Sequence, residues 1–377
     1  MGGSLSKEDG IVPELNGIRG ISVLAVVVFH CGVICGFQYI SWSGLLKWGW
    51  VGVEIFFILS GFLITGILLR TRHSTHYWRN FIMRRALRIF PAYYTVLILV
   101  WFVVPHLSAE FAESDVSGDL LTYLLYLQNW DHAINGWPDW GFVAHFWSLA
   151  VEEQFYLFWP LVVIAVSQRT LSFICVLMIA VALAFKVAAE VFHLPSLMSY
   201  TATISQLDAL AAGSWVACQT KDGLRFWFNF LKRPLIALLI VIVIGACVAR
   251  LIPGGARINI QLLAIIFSVG TLMLIGVGKL PRLMSAVLSN SVLGWFGRYS
   301  YGIYLLHYPL LGLLFNNFGE AIGERLESSP DVTVLLVIAL TVAGTSLVAL
   351  VMFHIIEQPA LKAKRFFEYR GAANVSV

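Results

Sequence analysis

Stretches of about twenty residues with almost no charge alternate with short polar connections along the whole chain. Ten stand out, at 14–36, 49–69, 90–106, 143–166, 171–191, 200–218, 234–252, 259–277, 291–314 and 331–356. A helix of that length crosses the hydrocarbon core of a bilayer with every backbone polar group satisfied internally. The pattern predicts an all-α polytopic membrane protein, a bundle of about ten transmembrane helices. The segment 120–130, LLTYLLYLQNW, is too short to cross and is expected as a re-entrant or interfacial helix. Residues 1–12 are expected as a flexible N-terminal tail, 13–360 as one membrane domain and 361–377 as a cytoplasmic C-terminal tail.

Charge placement orients the spans. Arg70, Arg72, Arg79, Arg84, Arg85 and Arg88 crowd the connection after the second span, which is therefore expected on the cytoplasmic side. Ten spans then put the N- and C-termini in the cytoplasm, the latter with Lys362, Lys364, Arg365 and Arg370. The same parity puts Lys221, Arg225, Lys232, Arg233, Lys279 and Arg282 inside. Glu110, Glu113, Asp115, Asp119, Asp131 and Asp139 fall in an outer connection without Lys or Arg, together with Trp130, Trp137 and Trp140. Another outer loop, 315–330, holds Glu320, Glu324 and Glu327 against Arg325.

Composition agrees. The 377 residues are 59% hydrophobic and 12% charged, with mean hydropathy +0.82; a soluble domain carries about twice that share of charge. No cleavable leader is expected, because the first apolar stretch lacks a small-residue cleavage site and carries Arg19 and His30. The five cysteines, Cys31, Cys35, Cys175, Cys218 and Cys247, form no metal-ligand pattern, and the Cys31/Cys35 pair reads as packing. The excess of basic residues is +4, and its placement says more than its sum.

Ionisable residues inside spans are costly and mark function. In LNGIRGISVLAVVVFHCG, Leu15 to Gly32, Arg19 and His30 are eleven residues apart. That is about three turns, so they share a helix face. Arg19 alone fits an interfacial anchor and His30 alone a packing hydrogen bond. Together they outline a polar track, with the imidazole as a candidate general base. In HFWSLAVEEQFYLFWPL, His145, Ser148 and Glu152 follow i, i+3, i+7, which predicts one helix face, and Glu152 and Glu153 enter an apolar helix. Glu152 is a candidate to orient His30. In FIMRRALRIFPAYY, Arg84, Arg85 and Arg88 cluster where a span begins. They fit a topology signal, a contact with anionic lipid, or a phosphate clamp. The ninth span adds Ser300, Tyr301, Tyr304 and His307; the tyrosines read as packing, His307 as packing or a second polar contact, and Glu357 as structural.

Six pieces in order now point to a family. They are RGISVLAVVVFH, GWVGVEIFFILSGFLI from Gly49, RRALRIFPAYY from Arg84, HFWSLAVEEQFYLFWPL from His145, YSYGIYLLHYP from Tyr299 and EQPA from Glu357. Over nearly its whole length the chain resembles the membrane-bound acyltransferase-3 family of carbohydrate O-acyltransferases. One position departs: Glu54 stands where the second motif often has Asp. The appended extracytoplasmic hydrolase-like domain of some members is not expected here.

The resemblance implies an acyl-CoA-dependent O-acyltransferase, with acetyl as the default group, in the bacterial cytoplasmic membrane. It implies a donor entering from the cytoplasm and a glycan hydroxyl accepting near the far side. His30, Arg19 and Glu152 are the expected catalytic residues and Arg84, Arg85 and Arg88 the donor-binding ones. Glu54, Ser60, His145, Trp147, Ser148, Glu153, Tyr304 and His307 are supporting or acceptor-side candidates. Acetyl-CoA is expected as co-substrate, with no permanently bound cofactor, no metal and no nucleic-acid partner. Members act on lipopolysaccharide, exopolysaccharide, peptidoglycan, signalling oligosaccharides and macrolides, and the residues select none of these. A proton-coupled transporter is the competing class; it predicts two matching halves with broken helices, and no such internal similarity is found. A non-catalytic scaffold leaves the Arg19, His30 and Glu152 set without a use.

Overall fold

A computed structural model of the chain describes residues 12–37, 43–107, 120–138, 142–219, 222–224, 226 and 255–369. Outside the described residues lie the expected span 234–252 with Cys247, the acids Glu110, Glu113, Asp115, Asp119 and Asp139, Trp140, and the basic residues Lys221, Arg225, Lys232, Arg233 and Arg370. So do residues 1–11 and 370–377 of the expected tails.

Among the described residues there is no strand. The long helices are α1 (Pro13–Cys35), α2 (Val51–Thr71), α3 (Tyr77–Phe102), α4 (Gln128–Asn135), α5 (Trp147–Ala165), α6 (Gln168–Val191), α7 (Thr203–Ala217), α8 (Gly255–Gly276), α9 (Ser291–Ser328) and α10 (Pro330–Met352). Seven helical segments among the described residues are long and apolar enough to cross a membrane, and they overlap seven of the expected spans. They are Pro13–Cys35, Val51–Thr71, Tyr77–His106, Ala144–Ala165, Gln168–Val191, Gly255–Gly276 and Pro330–Phe367. The expected span 200–218 is helical as α7, but with 15 residues it is shorter than the roughly 20 a bilayer needs. The expected span 291–314 lies within α9, whose 38 residues run on through the loop assigned to 315–330. Glu320, Glu324 and Glu327 therefore stand on a helix and not in a loop; the stretch holds good helix formers and no proline until Pro330.

Two other boundaries differ from expectation. Helix α3 starts at Tyr77, after His76 in a left-handed conformation, so Arg84, Arg85 and Arg88 lie inside it and not at its start. Arg, Ala and Leu favour helix, and the long arginine side chains carry their charge away from the axis. The segment 120–130 is two short helices, Leu120–Leu124 and the first part of α4, broken at Tyr126 with φ 54°.

The chain divides into two compact units, Met1–Phe56 with Leu280–Phe353, and Phe57–Lys279 with His354–Val377. In the first, α1 packs along α9 and α10. Asn16 meets Gly297, Arg19 meets Ser300 and His30 meets His307, so α1 and α9 run in the same direction. The approach is backbone on backbone: a Cβ at Gly20 would stand 2.2 Å from the Leu293 carbonyl oxygen, and one at Gly297 1.9 Å from that of Asn16. Small residues let apolar helices come this close where water cannot drive association.

In the second unit α2 crosses α7 in the same manner, with Gly61 against Leu210 and Gly213 against Ile58. Trp159 donates to Thr65 Oγ1 at 2.7 Å, and Thr65 donates to Ser214 Oγ at 2.9 Å. Arg72 caps the end of α5 by donating to the carbonyls of Val163 at 3.0 Å and Val166 at 2.7 Å, groups that a helix end leaves without partners. Midway along α5, Gln154 ties α4 in place. Its amide donates to the Tyr126 carbonyl at 2.8 Å and to Asn129 Oδ1 at 2.9 Å, and its oxygen accepts from Trp130 Nε1 at 3.2 Å and from Thr203. Trp130 is thereby a structural anchor, whereas Trp137 is 46% exposed. Cys31, Cys35, Cys175 and Cys218 are buried free thiols.

Lys186 on α6 and Asp208 on α7 form an ion pair of 2.6 Å with both side chains fully buried. Removing one partner leaves a buried charge alone, at a cost of about 3–5 kcal/mol, while an apolar pair of similar volume is tolerated. Lys186→Met and Asp208→Leu should each lower the unfolding midpoint in detergent strongly, and the double variant should recover most of the loss. Additive single effects would refute this reading.

His132 on α4 is buried, with Nε2 3.3 Å from the Tyr123 hydroxyl. Burial pushes its pKa down to about 4, against an opposing pull from Asp131. The folded value lies below that of an unfolded histidine, about 6.5. Stability tied to neutral His132 is therefore complete above pH 6.5 and lost as pH falls toward 4, roughly 2 kcal/mol of it by pH 5. Thermal midpoints measured from pH 7 to pH 5 should fall, and less steeply in His132→Asn; equal slopes would refute the assignment.

Candidate functional site

The first unit brings together Arg19, His30, Ser300, Tyr304, His307 and Tyr308 through the α1–α9 contact. Arg19 Nη2 donates to Ser300 Oγ at 3.1 Å, and Ser300 Oγ donates to the Gly297 carbonyl at 2.9 Å. One face up and eleven residues on, about 16 Å of rise, His30 lies against His307 and Tyr308, with ring centroids 5.0 and 4.5 Å away. Arg19 therefore stands about 16 Å along α1 from His30. Glu54, on the part of α2 that belongs to this unit, is fully buried, and Tyr304 packs against Phe56 at 6.2 Å.

Hydrogen-bond partners fix the tautomers. His307 Nδ1 is 2.7 Å from the Tyr304 carbonyl, an acceptor only, so Nδ1 carries the proton. In the neutral ring Nε2 is then the acceptor, and it faces His30 Nδ1 at 3.0 Å. His30 Nδ1 also faces the Val26 carbonyl at 3.1 Å. Both neighbours accept, so His30 Nδ1 is the donor and its Nε2 is the basic nitrogen. His307 Nε2 is the acceptor that this unit supplies to His30 Nδ1.

The second unit holds the remaining candidates in two groups. Ser60 on α2 is hydrogen bonded to the hydroxyl of Tyr156 on α5. Glu152 and Glu153 stand about one and a half turns into α5, both half-buried, and act electrostatically on Tyr156. Glu153 also acts on Arg85, whose guanidinium lies 5.8 Å from the centre of the Tyr156 ring. Glu153 Oε1 is buried with no hydrogen-bond partner among the described residues. A polar line thus runs from Arg85 past Tyr156 to the two acids.

The outer arginines end this line. Arg88 pairs with Glu357 at 3.7 Å, which supports a structural role for Glu357. Arg84 Nη1 donates to the Lys364 carbonyl at 3.1 Å. At the opposite end of α5, Trp147 is buried between Phe57 and Tyr200, at 6.0 and 4.8 Å. The expected helix face from His145 to Glu152 does not form. His145 sits in a short 3₁₀ turn, Ala144–Phe146, and α5 begins at Trp147; Ser148 Oγ donates to the His145 carbonyl at 3.1 Å, closing that turn. Sequence reasoning missed Tyr156, Tyr308 and Lys364. Tyr156 and Tyr308 lie inside quoted motifs and were readable as aromatic polar groups on faces already singled out. Lys364 gave no signal beyond a basic tail.

An acyltransferase-domain family model, that of acyltransferase-3, matches residues 12–353. Peptidoglycan O-acetyltransferase OatA of Listeria monocytogenes is 28% identical over 379 residues, covering 93% of this chain and 56% of the relative. Putative peptidoglycan O-acetyltransferase YrhL of Bacillus subtilis is 29% identical over 376 residues, covering 92% and 54%. A putative O-acetyltransferase of Staphylococcus aureus strain COL, SACOL0978, is 32% identical over 160 residues, covering 41% of this chain and 25% of its own. The chain thus spans about half the length of the first two. No solved structure matches it. The apolar helices and the matched span lead to one conclusion: the chain belongs to the acyltransferase-3 family and is a multi-pass bacterial membrane protein.

Proposed function

We propose that the protein is an O-acetyltransferase of the bacterial cytoplasmic membrane, moving an acyl group from cytoplasmic acetyl-CoA to a hydroxyl of a glycan near the far side. The bundle is read as about ten spans with both termini cytoplasmic, which puts the arginine end inside by the excess of basic residues. The parallel course of α1 and α9 fits a first and a ninth span. The observation that carries the reading is the His30–His307 hydrogen bond, which sets the tautomer of His30 so that Nε2 is its basic nitrogen.

His30 Nε2 takes the proton of the acceptor hydroxyl as its oxygen attacks the thioester carbonyl. The C–S bond breaks, and the imidazolium returns its proton to the leaving thiolate, giving an ester and free CoA. Arg84, Arg85 and Arg88 hold the phosphates of the donor, since guanidinium forks match phosphate oxygens. Arg19 steadies the pantetheine arm and takes no part at the thioester. His307 orients His30. Glu152 and Glu153, on the polar line with Arg85, act as positioning groups, and Glu54, Ser60, Trp147 and Tyr304 as supporting residues, each within its own unit. Peptidoglycan is the acceptor favoured by the names of two relatives; a non-glycan alcohol such as a macrolide is the alternative.

Purified protein in nanodiscs with labelled acetyl-CoA and a muropeptide acceptor tests this. His30→Ala should lower transfer by about 10³-fold, within the range for a lost general base. Transfer at the wild-type rate in that variant would refute the assignment. Label retained on wild-type protein without acceptor, and absent from His30→Ala, would replace direct transfer by an acyl-histidine route.

His307 is tested apart from His30. His307→Phe removes the acceptor for His30 Nδ1–H and should lower kcat about 10²-fold with the donor KM within about twofold. His307→Gln offers an amide oxygen to the same proton and should recover about tenfold of that loss. Equal kcat and pH profiles in His307→Phe and wild type would show that His307 only packs.

A further inference from the structure

Three cations meet at the arginine end of the second unit without a carboxylate. Arg84 spends its guanidinium on the carbonyls of Lys364 and Phe367, at 3.1 and 3.5 Å, and lies 5.5 Å from the centre of the Tyr369 ring. Arg85 lies over the rings of Phe81 and Tyr156, at 5.9 and 5.8 Å. The half-buried side chain of Lys364 acts electrostatically on Arg84, Arg85 and Arg88. Among the described residues, none of Arg84, Arg85 and Lys364 has a carboxylate within 4.0 Å. Glu153 acts on Arg85 from beyond that distance, and Glu357 is bound to Arg88.

The crowding is made by the segment that follows α10. It passes through Gln358–Lys362 and Ala363–Phe367 and folds back on α3 as a strap. Asn80 donates to the Glu368 carbonyl at 2.9 Å, and Arg79 lies 5.5 Å from the centre of the Phe367 ring. The strap turns Lys364 toward the arginines, while its neighbours Lys362 and Arg365 are exposed. Like charges held together away from bulk water raise each other's energy. A fold that directs a fourth cation into this group, when solvent was open to it, has a polyanion to hold.

We propose that Lys364 is a fourth phosphate ligand beside Arg84, Arg85 and Arg88, and that the strap closes the phosphate end of coenzyme A against α3. This rests on the donor reading above. Coenzyme A carries a pyrophosphate and a 3′-phosphate, about four negative charges for four cations. The phosphate of an anionic lipid has the same local chemistry, so the test separates the two.

The full chain is placed in phosphatidylcholine nanodiscs and its affinity for coenzyme A measured by calorimetry. Lys364→Ala should weaken binding about tenfold, the usual size of a lost charge-assisted hydrogen bond, and Lys364→Glu by a further tenfold. Lys364→Arg should stay within about twofold, and exposed Lys362→Ala should bind as wild type. Lys364→Glu keeps most of the side chain's length and Lys364→Arg all of it, so a folding defect in the alanine variant does not remove the test. Wild-type binding in both Lys364→Ala and Lys364→Glu would overturn the inference and leave the donor reading standing. Failure of the wild type itself to bind coenzyme A would overturn both. The third arm is native mass spectrometry in phosphatidylglycerol nanodiscs. Loss of bound phosphatidylglycerol in Lys364→Ala, with coenzyme A affinity unchanged, would assign the site to lipid and overturn the proposal.

Discussion

The contact of α1 with α9 through Gly20 and Gly297 is the constraint on which the histidine pair depends. Helices with larger residues at the crossing stand 8–10 Å apart, and there the imidazoles on facing helices would be out of reach or held in several rotamers. With carbonyl oxygens filling the place of a Cβ on both helices, one axial register is allowed. That register places Ser300 at Arg19 and His307 at His30, two polar meetings on one parallel pair. Backbone packing therefore sets the geometry of side chains that have no room to choose another.

The same economy governs polar groups elsewhere in the apolar interior. A buried hydroxyl or amide without a partner costs about 1–3 kcal/mol, and the structure answers by chaining them. Trp159, Thr65 and Ser214 link α5, α2 and α7, ending on the carbonyls of Gly61 and Leu210. Gln154 gathers Trp130, Asn129 and Thr203. Against this background two places stand apart among the described residues: the buried Glu153 Oε1, which has no hydrogen-bond partner there, and the group of Arg84, Arg85 and Lys364, which has no carboxylate within 4.0 Å. Both lie on one line through Arg85.

The helical class and the overlap of seven apolar segments were legible because membrane spans are written in composition, which a single chain displays directly. The face shared by Arg19 and His30 was legible because helical spacing alone decides it. Partnerships were not. Nothing in the spacing of Tyr304 and His307 shows that the second imidazole meets the first, since that depends on how two helices separated by some 270 residues are aligned. The misread limits have local causes. His145 was counted into α5 because a 3₁₀ turn and an α-helix share similar spacing over three residues, and α3 was begun too late because arginines read as a span's edge when they stand within the helix. The strap was unreadable: its place on α3 comes from backbone carbonyls of Lys364, Phe367 and Glu368, groups that every residue carries.

A neutral histidine as the orienting partner has a consequence that a carboxylate would not. A carboxylate beside His30 would favour the imidazolium, but it would bring a buried charge into an apolar helix contact, where desolvation is severe. His307 fixes the tautomer and the ring plane of His30 through a neutral acceptor. On the proposed reading, the cost is a weaker hold on the imidazolium formed during proton transfer. Acyl transfer from a thioester tolerates that weakness, because a thiolate leaves readily, with a conjugate acid near pKa 8.5, and the imidazolium needs to survive only until that sulfur takes its proton. For an oxygen ester as donor the leaving group would be far more basic and the charged ring would have to be better stabilised. On the proposed reading, the uncharged pair suits a thioester better than an oxygen ester.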